Sequence, residues 1–398
     1  MKIGIVADSH FDEHSRFAEC VEIHDWIAED GEARGVALWL HAGDVYERKS
    51  TPLERRAVAR WVQRLASAAP VVLVRGNHDA VDDLPLLERL DTEFPVHVYE
   101  RFGQLEIDVQ DIETETDSRV AIAMLGWPQR AHLHAMLPLA SKEQVELAAG
   151  DALRDVLRGL GTWLDAQPPE VPRILLAHAM VRGSRVSTGQ PLVGCDFELG
   201  LEDLALAKAD FYALGHIHME NAWDIAGAPA VYPGSPRRTS FGELEPKGYI
   251  IAEFDGRKLI GWRRVETPCT PMLHVGLTWA EGGILLLDDG RQPHENDLVM
   301  MRGAEVRVRY AVAADQREAA KAGAAEFAES VRAAGAVNVK VEEVVRTETR
   351  ARAPAVAKAA TVEQKLEALW DSKGFEPGER RTPLMAKVNE LEGESNAA

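Results

Sequence analysis

Five short polar motifs, each directly after an apolar run, constrain the fold of this chain more than any other feature. Three of the runs, all of the buried-strand type, are 2–7 (KIGIVA), 36–40 (VALWL) and 71–74 (VVLV). The polar motifs are, in chain order, Asp8-Ser9-His10, Gly43-Asp44, Gly76-Asn77-His78-Asp79, His178 and Gly215-His216-Ile217-His218. Helical patterns over about 16–30 and 52–67 separate the first three runs. This alternation predicts an α/β sheet with polar residues gathered at the carboxyl ends of its strands.

The residue types in these motifs are those that bind hard or borderline divalent cations, namely carboxylates, imidazoles and one amide oxygen. A bridging carboxylate allows two cations to lie about 3.5–4 Å apart and to activate one water between them. Asp44 is the natural bridge because it stands alone on its loop, and Asn77 supplies a neutral oxygen. His78 can stay off the cations and donate a proton. His41 either orients Asp44 or is simply a packed histidine. One such motif alone is more often a surface pair, but five in order predict a two-metal site.

The five motifs resemble those of the calcineurin-like metallophosphoesterase family, and all are intact between residues 8 and 218. The resemblance implies a four-layer α/β/β/α sandwich and a metal-dependent phosphoesterase. It also implies that His78 is the proton donor and transition-state stabiliser and that two divalent ions are bound, usually manganese, with iron or zinc as alternatives. By this resemblance, one ion would be held by Asp8, His10, Asp44 and His218, and the other by Asp44, Asn77, His178 and His216.

Within this family, the segment from Tyr232 to Glu243 (YPGSPRRTSFGE) is similar to the one that follows the last metal motif in SbcD-type subunits of the SbcCD DNA exonuclease. The resemblance implies a homodimeric phosphodiesterase that hydrolyses DNA in repair and end processing together with an SbcC-type coiled-coil ATPase. Six loop cations are candidates for contact with DNA phosphates, although solvated surface charges are at least as common: Arg48, Lys49, Arg182, Arg185, Arg237 and Arg238.

Changes in sequence texture predict four parts of the chain. These are a first domain at 1–268, a small α/β domain at 269–347, a linker at 348–360 and a helix–loop–helix tail at 361–398. By resemblance to SbcD-type subunits, the first is the metallophosphoesterase (nuclease) domain, the second is a capping domain and the tail binds the ATPase, although its apolar stripe could instead fold back onto the catalytic domain. In the capping domain, 304–311 and 337–346 alternate like strands around a helical stretch at 315–334. In the tail, Thr361 and Gln364 fit a capping box, and Val362, Leu366, Leu369 and Trp370 form an apolar stripe.

The later part of the first domain is rich in strand signals. Strand-type runs lie at 103–109, 119–126, 172–177, 211–214, 229–232, 247–254 and 257–265, with a long helical pattern at 142–166. Because strands follow one another closely near 220–265, we expect antiparallel pairing in the second half of the sheet system.

The formal net charge of −19 at pH 7 excludes a fold coated in Lys and Arg, although a local basic groove remains compatible with it. Since affinity for duplex DNA depends on phosphate neutralisation, this charge favours a partner that supplies DNA affinity. Two alternatives to the nuclease remain. One is a stand-alone phosphodiesterase acting on small or cyclic nucleotides. The other is a mainly architectural subunit that organises an ATPase, against which the intact ligand set counts.

The number of cysteines and the length of the apolar stretches indicate the cellular compartment to expect for the protein. The chain has three cysteines, Cys20, Cys195 and Cys269, too few for a disulfide framework. No signal peptide and no apolar stretch of about 18 residues is found in the sequence. We therefore expect a cytoplasmic protein that does not associate with membranes.

Overall fold

The computed structural model describes residues 1–111, 116–128, 142–188, 190, 198–280, 284–312, 316–345, 356, 359, 361–373 and 381–395. Some residues singled out in the sequence lie outside this part of the chain: His132 and His134, which we had no reason to place in the site, Cys195, and most of the linker 348–360.

One six-stranded sheet carries the first three motifs. Its strands are β1 (Lys2–Val6), β2 (Val36–His41), β3 (Val71–Val74), β4 (Val96–Tyr99), β13 (Gly248–Asp255) and β14 (Lys258–Glu266). They lie in the order β14-β13-β1-β2-β3-β4. The strands from β1 to β4 run parallel, whereas β13 is antiparallel to both β1 and β14.

A second six-stranded sheet carries the last two motifs. Its strands are β5 (Phe102–Asp111), β6 (Thr116–Leu125), β7 (Arg173–His178), β10 (Phe211–Gly215), β11 (Asn221–Ile225) and β12 (Ala228–Tyr232). They lie in the order β11-β12-β10-β7-β6-β5, with β6, β7, β10 and β12 parallel. A separate two-stranded pair joins β8 (Met180–Val181) to β9 (Glu198–Leu199). The antiparallel pairs expected near 220–265 exist, but β11 and β12 belong to this sheet while β13 and β14 belong to the first.

The two sheets pack face to face between two layers of helices. Alternate residues of β1 divide between the layers, since Ile3 and Ile5 enter the core between the sheets and Val6 enters the core under the helices. Helices α1 (Phe17–Ala33) and α2 (Pro52–Leu65) cover the first sheet, and α3 (Lys142–Asp165) covers the second. The expected four-layer α/β/β/α sandwich is therefore confirmed. A short helix α4 (Leu201–Leu204) follows β9.

The start of α2 is fixed locally and helps to hold the first ligand loop. Pro52 occupies the first turn, where its missing N–H leaves no helical hydrogen bond unmade. Thr51 and Glu54 form a reciprocal capping box. The Glu54 carboxylate also accepts the backbone N–H of Glu13 at 2.8 Å, which ties the loop after His10 to this helix.

A second α/β unit follows the sandwich. Its strands are β15 (Met272–Ala280), β16 (Ile284–Leu287), β17 (Glu305–Val312) and β18 (Asn338–Val345), in the order β16-β15-β17-β18. Helix α5 (Glu295–Met300) precedes β17, and α6 (Arg317–Ala333) packs on one face of the sheet. The strand and helix patterns at 304–311, 315–334 and 337–346 correspond to β17, α6 and β18. That a separate domain begins at 269 stays a prediction.

Two helices, α7 (Val362–Ser372) and α8 (Arg381–Ser395), form the tail. The Thr361 hydroxyl accepts the Gln364 N–H at 3.2 Å, as expected for a helix start here. The Gly374 expected to end α7 lies outside the described residues. Among the helices that the structure describes, none is long and apolar enough to cross a bilayer.

Candidate metal centre

The carboxyl ends of five parallel strands bring the motif residues together. Seven candidate ligands and the candidate proton donor are placed by these strand ends: Asp8 and His10 after β1, Asp44 after β2, Asn77 and His78 after β3, His178 at the end of β7, and His216 and His218 after β10. Contacts between loops join the two sheets here, since the His216 N–H donates to the Asp8 carboxylate at 2.9 Å. The structure thus assembles the whole predicted set, and the ligand role of each residue stays a prediction.

The backbone at the site is held in an uncommon conformation. Four of the candidate ligands have φ in the positive range, at 54° for Asp8, 47° for His10, 56° for Asp44 and 115° for His216. Non-glycine residues in such regions cost about 1–3 kcal/mol each and persist only where surrounding contacts impose them. The imposing contacts are visible, because Asp8 N donates to Gly43 O at 3.0 Å and His10 N donates to Asp44 O at 3.1 Å.

A first cluster of ligand atoms consists of Asp8, His10 and His218, all within 4.8 Å of one another. The Nε2 atoms of His10 and His218 are 2.9 Å apart. Asp44 Oδ2 lies 3.8 Å from His10 Nε2. Asp44 therefore lies at the edge of this first cluster.

A second cluster consists of Asp44, His178 and His216. Asp44 Oδ2 lies 3.4 Å from His178 Nε2, and Asn77 Oδ1 lies 2.9 Å from both His178 Nε2 and His216 Nδ1. A Cβ on Gly76 would lie only 2.0 Å from Asp44 Oδ1, so glycine is needed for the Asn77 loop to come this close. Asp44 stands between the clusters, as a bridging carboxylate requires.

Two of the imidazoles, His178 and His10, are oriented in the way that metal-binding histidines usually are, with one ring nitrogen tied to the protein and the other facing the site. His178 Nδ1 donates to the carbonyl of Ala42 at 2.7 Å. His10 Nδ1 lies 2.8 Å from the carboxylate of Glu47. Nitrogen and oxygen donors converge with no thiolate among them, so this donor set fits a pair of divalent cations.

The electrostatics of the cluster are strongly coupled. Burial raises the pKa of Asp8 to about 6. Burial opposes ionisation of Asp44 as well, but His178 and His10 outweigh it and hold the pKa of Asp44 well below its usual range. Burial lowers the pKa of His178, yet the Asp44 carboxylate outweighs this and raises it to about 9. Protons and cations therefore compete for the same ligand atoms.

Two acidic residues in the site received no role from the sequence. Glu47 contacts both His10 and His78, because its carboxylate lies beside His10 and its carbonyl accepts from His78 Nδ1 at 2.7 Å. Asp79 is buried and accepts the N–H groups of Tyr46 and Gly76, each at 2.9 Å. The position of Glu47 three residues after Asp44 was the available signal for it, and Asp79 belongs to the Gly-Asn-His-Asp motif.

Trp127 and Gln190 were also missed. The Trp127 ring stacks on His216 at 4.8 Å between centroids. Gln190 donates from Nε2 to His216 O at 2.7 Å and accepts the His218 N–H at 3.1 Å. Neither residue stands in a recognisable motif, so only the fold reveals their proximity to the site.

The segment after the last motif supports His218. Thr239 Oγ1 donates to Glu243 Oε1 at 3.0 Å and lies 3.4 Å from His218 Nδ1. The fully buried ammonium of Lys247 lies 2.6 Å from Glu243 Oε2 and donates to His218 O at 3.1 Å. The Ser-Phe-x-Glu part of this segment is thus a structural support for a candidate ligand.

Two of the six cationic side chains proposed to contact DNA donate hydrogen bonds to backbone carbonyls within the protein. Arg237 is only 2% exposed and donates from Nη2 to the carbonyl of His10 at 2.8 Å. Arg238 donates to the carbonyls of Glu243 and Glu245 at 2.8 and 3.2 Å. These contacts assign both side chains a role in holding loops, and their contact with DNA stays a prediction.

The other four cations are exposed. Three of them have partners: Arg48 pairs with Asp12 at 2.8 Å, Arg182 with Glu202 at 3.5 Å, and Arg185 Nη2 donates to Glu220 O at 3.5 Å. Lys49 follows Arg48 and is exposed too. Their contact with DNA likewise stays a prediction.

The clusters open into a cavity of about 540 Å³. His78 lines this cavity with 38% of its side chain exposed, whereas His10 is almost fully buried. Asp12 and Ser240 line it too. Of the motif histidines along this wall, His78 is therefore well placed to meet a substrate.

Comparisons with known proteins agree with this geometry. The sequence model of calcineurin-like phosphoesterases matches residues 1–220. The DNA double-strand break repair protein Mre11 of Methanopyrus kandleri is 24% identical over 300 residues, covering 71% of this chain and 61% of that protein. The SbcD subunit of the nuclease SbcCD is 25% identical in Bacillus subtilis (61% of this chain, 63% of that protein) and 28% in Escherichia coli K12 (69% and 70%). The chain thus spans less than two thirds of the first two relatives.

Proposed function

Because the chain belongs to the calcineurin-like phosphoesterase family, we propose that it is a two-cation phosphodiesterase that hydrolyses DNA as the nuclease subunit of an ATPase complex. The observation that carries the proposal is the pair of ligand clusters on either side of Asp44, inside one cavity. The nuclease names of the relatives support DNA as the substrate.

The cations would be held as the motifs indicate. Asp8, His10 and His218 would hold one with Asp44, and Asn77, His178 and His216 the other with Asp44. When bound, two such ions activate a water and stabilise charge on the attacking and leaving oxygens. We propose Mn²⁺ by resemblance to the family, with Fe²⁺ and Zn²⁺ as alternatives, and the imidazole, carboxylate and amide donors suit all three ions.

His78 would supply a proton to the leaving oxygen. Its Nδ1 donates to the carbonyl of Glu47, which fixes the ring and leaves Nε2 to meet a substrate in the cavity. Its backbone N–H donates to Asp44 Oδ1 at 2.8 Å, so the proton donor is positioned by the central carboxylate itself. A positioned general acid of this kind typically contributes 10²–10⁴-fold to the rate.

DNA would approach along the capping unit. One face of its sheet carries Arg307, Arg309 and Lys340, partly offset by Glu305 and Glu342. The Arg307 guanidinium lies 4.1 Å from the ring centroid of Phe241, in the segment that supports His218. This basic face therefore adjoins the candidate site.

The net charge of −19 makes a partner useful, because it weakens unaided binding to duplex DNA. We place the SbcC-type coiled-coil ATPase on α7 and α8, where Val362 and Leu384 are about half exposed. A homodimer through the catalytic domain is part of the same proposal and rests on family resemblance.

The test is cleavage of end-labelled linear duplex DNA with Mn²⁺, run beside a generic phosphodiester. His78→Ala is compared with His14→Ala, a nearby histidine whose side chain is 69% exposed. We expect DNA cleavage by the wild type and by His14→Ala, and a loss of at least about 10²-fold in His78→Ala. Hydrolysis of only the small ester, even with the ATPase present, would overturn DNA as the substrate in favour of small nucleotides. Equal rates for all three proteins would overturn the role of His78.

A further inference from the structure

A buried chain of hydrogen bonds lies beneath the two loops that carry the candidate ligands. The Ser9 hydroxyl lies 2.8 Å from His41 Nε2 on one side and 2.8 Å from His24 Nε2 on the other. Side-chain exposure does not exceed 2% at any of the three residues. His24 belongs to α1, Ser9 lies in the loop after β1, and His41 is the last residue of β2.

The direction of every bond in this chain follows from its two ends. The Cys20 carbonyl can only accept, so His24 Nδ1 donates to it at 2.6 Å and His24 Nε2 is left as an acceptor. Gly43 N can only donate, so His41 Nδ1 accepts from it at 3.2 Å and His41 Nε2 carries the proton. The Ser9 hydroxyl therefore accepts a hydrogen bond from His41 Nε2 and donates its single proton to His24 Nε2.

This arrangement requires both imidazoles to be neutral. Burial supplies that condition, because it lowers the pKa of His24 and of His41 to about 3. A proton on His41 Nδ1 would face the Gly43 N–H donor, and a proton on His24 Nε2 would leave the Ser9 hydroxyl proton without its acceptor. The hydrogen bonds and the burial are thus mutually consistent.

The chain joins the parts of the backbone that carry the candidate ligands. Ser9 lies between Asp8 and His10, and Gly43 immediately precedes Asp44. We infer that Ser9, His24 and His41 are positioning residues that set the two ligand loops relative to each other and so set the spacing of the cation pair. This inference rests on the two-cation site proposed above and extends it to residues outside the candidate ligand set.

Packing alone does not account for these polar groups. The imidazoles lie among aromatic rings, with Phe11 4.4 Å and Trp61 4.7 Å from the centroid of His24. Apolar side chains would fill such a space without needing hydrogen-bond partners, and replacing both members of a buried pair in this way is often nearly neutral for stability. A directional network, in contrast, fixes one arrangement of the loops it joins.

The experiment compares three single variants in the full-length protein. His24→Leu removes the acceptor for Ser9 at a position that contacts no candidate ligand. His24→Gln keeps an amide oxygen at a similar reach and can restore the acceptor. Trp61→Phe is the matched control, because Trp61 packs on His24 and His41 but its Nε1 makes no hydrogen bond among the described residues.

Mn²⁺ affinity is measured by calorimetry, and coupling between the two ions by electron paramagnetic resonance. We expect His24→Leu to weaken binding of the cation pair about 10- to 100-fold, the range usual for residues that orient ligands. We expect the spin-coupled signal to appear only at correspondingly higher Mn²⁺. His24→Gln should recover most of the loss, and Trp61→Phe should lower the unfolding temperature with Mn²⁺ affinity unchanged.

Unchanged affinity and coupling in His24→Leu would overturn the inference while the proposed function stands. Equal weakening in Trp61→Phe and His24→Leu would also overturn it, since general loosening would then explain the effect. A wild type that binds fewer than two Mn²⁺ would instead overturn the two-cation site itself and, with it, the inference.

Discussion

Asp44 and His78 are joined by a hydrogen bond of 2.8 Å from the backbone N–H of His78 to Asp44 Oδ1. The other oxygen of the same carboxylate faces His178 Nε2 at 3.4 Å and His10 Nε2 at 3.8 Å. One side chain thus connects both ligand clusters to the loop of His78, the proposed proton donor. This explains why the site can be compact although its residues span more than 200 positions of the sequence.

Asp44→Asn tests this central position. The amide keeps the shape and can still accept the His78 N–H, so the protein should fold, but the bridging charge is lost. We expect Mn²⁺ affinity to fall by more than about 100-fold, beyond the range found for residues that only orient ligands. Calorimetric titration checks this, and near-normal binding of two ions would contradict a bridging role.

Glu47 is predicted to orient His10 through the contact at 2.8 Å. We expect Glu47→Ala to weaken Mn²⁺ binding about 10- to 100-fold, and Glu47→Gln to fall in between because its oxygen can still accept from His10 Nδ1. Glu202→Ala, at a side chain that is 70% exposed, is the control. Equal affinities in Glu47→Ala and Glu202→Ala would show that the contact does not matter.

His24 should make the metal-free protein sensitive to acid. Its pKa falls from 6.5 to about 3 on burial, so between these values the unfolded chain binds more protons than the folded one. The stabilisation of the folded state by neutral, buried His24 is therefore complete above pH 6.5, and it is lost as the pH falls towards 3. From pH 7 to 5, wild type should lose about 2 kcal/mol more of its unfolding free energy than His24→Leu. Urea unfolding with a chelator at both pH values measures this, and identical losses would refute it.

Lys247 should be a stability determinant as well as a support for His218. Its buried ammonium lies 2.6 Å from Glu243 and 2.8 Å from Glu245. Lys247→Met leaves these carboxylates uncompensated, and we expect a loss of about 3–5 kcal/mol in the free energy of unfolding. Lys208→Met removes an exposed pair with Asp165 and should cost no more than about 1 kcal/mol. Comparable losses of unfolding free energy in Lys247→Met and Lys208→Met would contradict the claim that the buried ion pair stabilises the fold more than the exposed one.

The strand-end motifs made the site predictable, because parallel strands in open α/β sheets gather their ends at one edge. Hence Asp8, Asp44 and Asn77 could be grouped before any contact was known. The alternation in residues 304–311 and 337–346 likewise predicted β17 and β18 to within two residues.

What the sequence could not predict depends on contacts between distant residues. β13 pairs with β1, as in Ile5 opposite Ile250, and no local pattern indicates which sheet a buried strand will join. Trp127 reaches His216 because β6 and β10 flank β7 in the second sheet, an order that no local sequence pattern indicates. Arg237 stood in a loop and looked like a surface cation, but the fold buries it against the His10 carbonyl.

The most direct measurement of the central claim is anomalous X-ray scattering from crystals grown with Mn²⁺. The account predicts two peaks, one on each side of the Asp44 carboxylate, with His10 and His218 at one and His178 and His216 at the other. A single peak, or peaks away from Asp44, would contradict it.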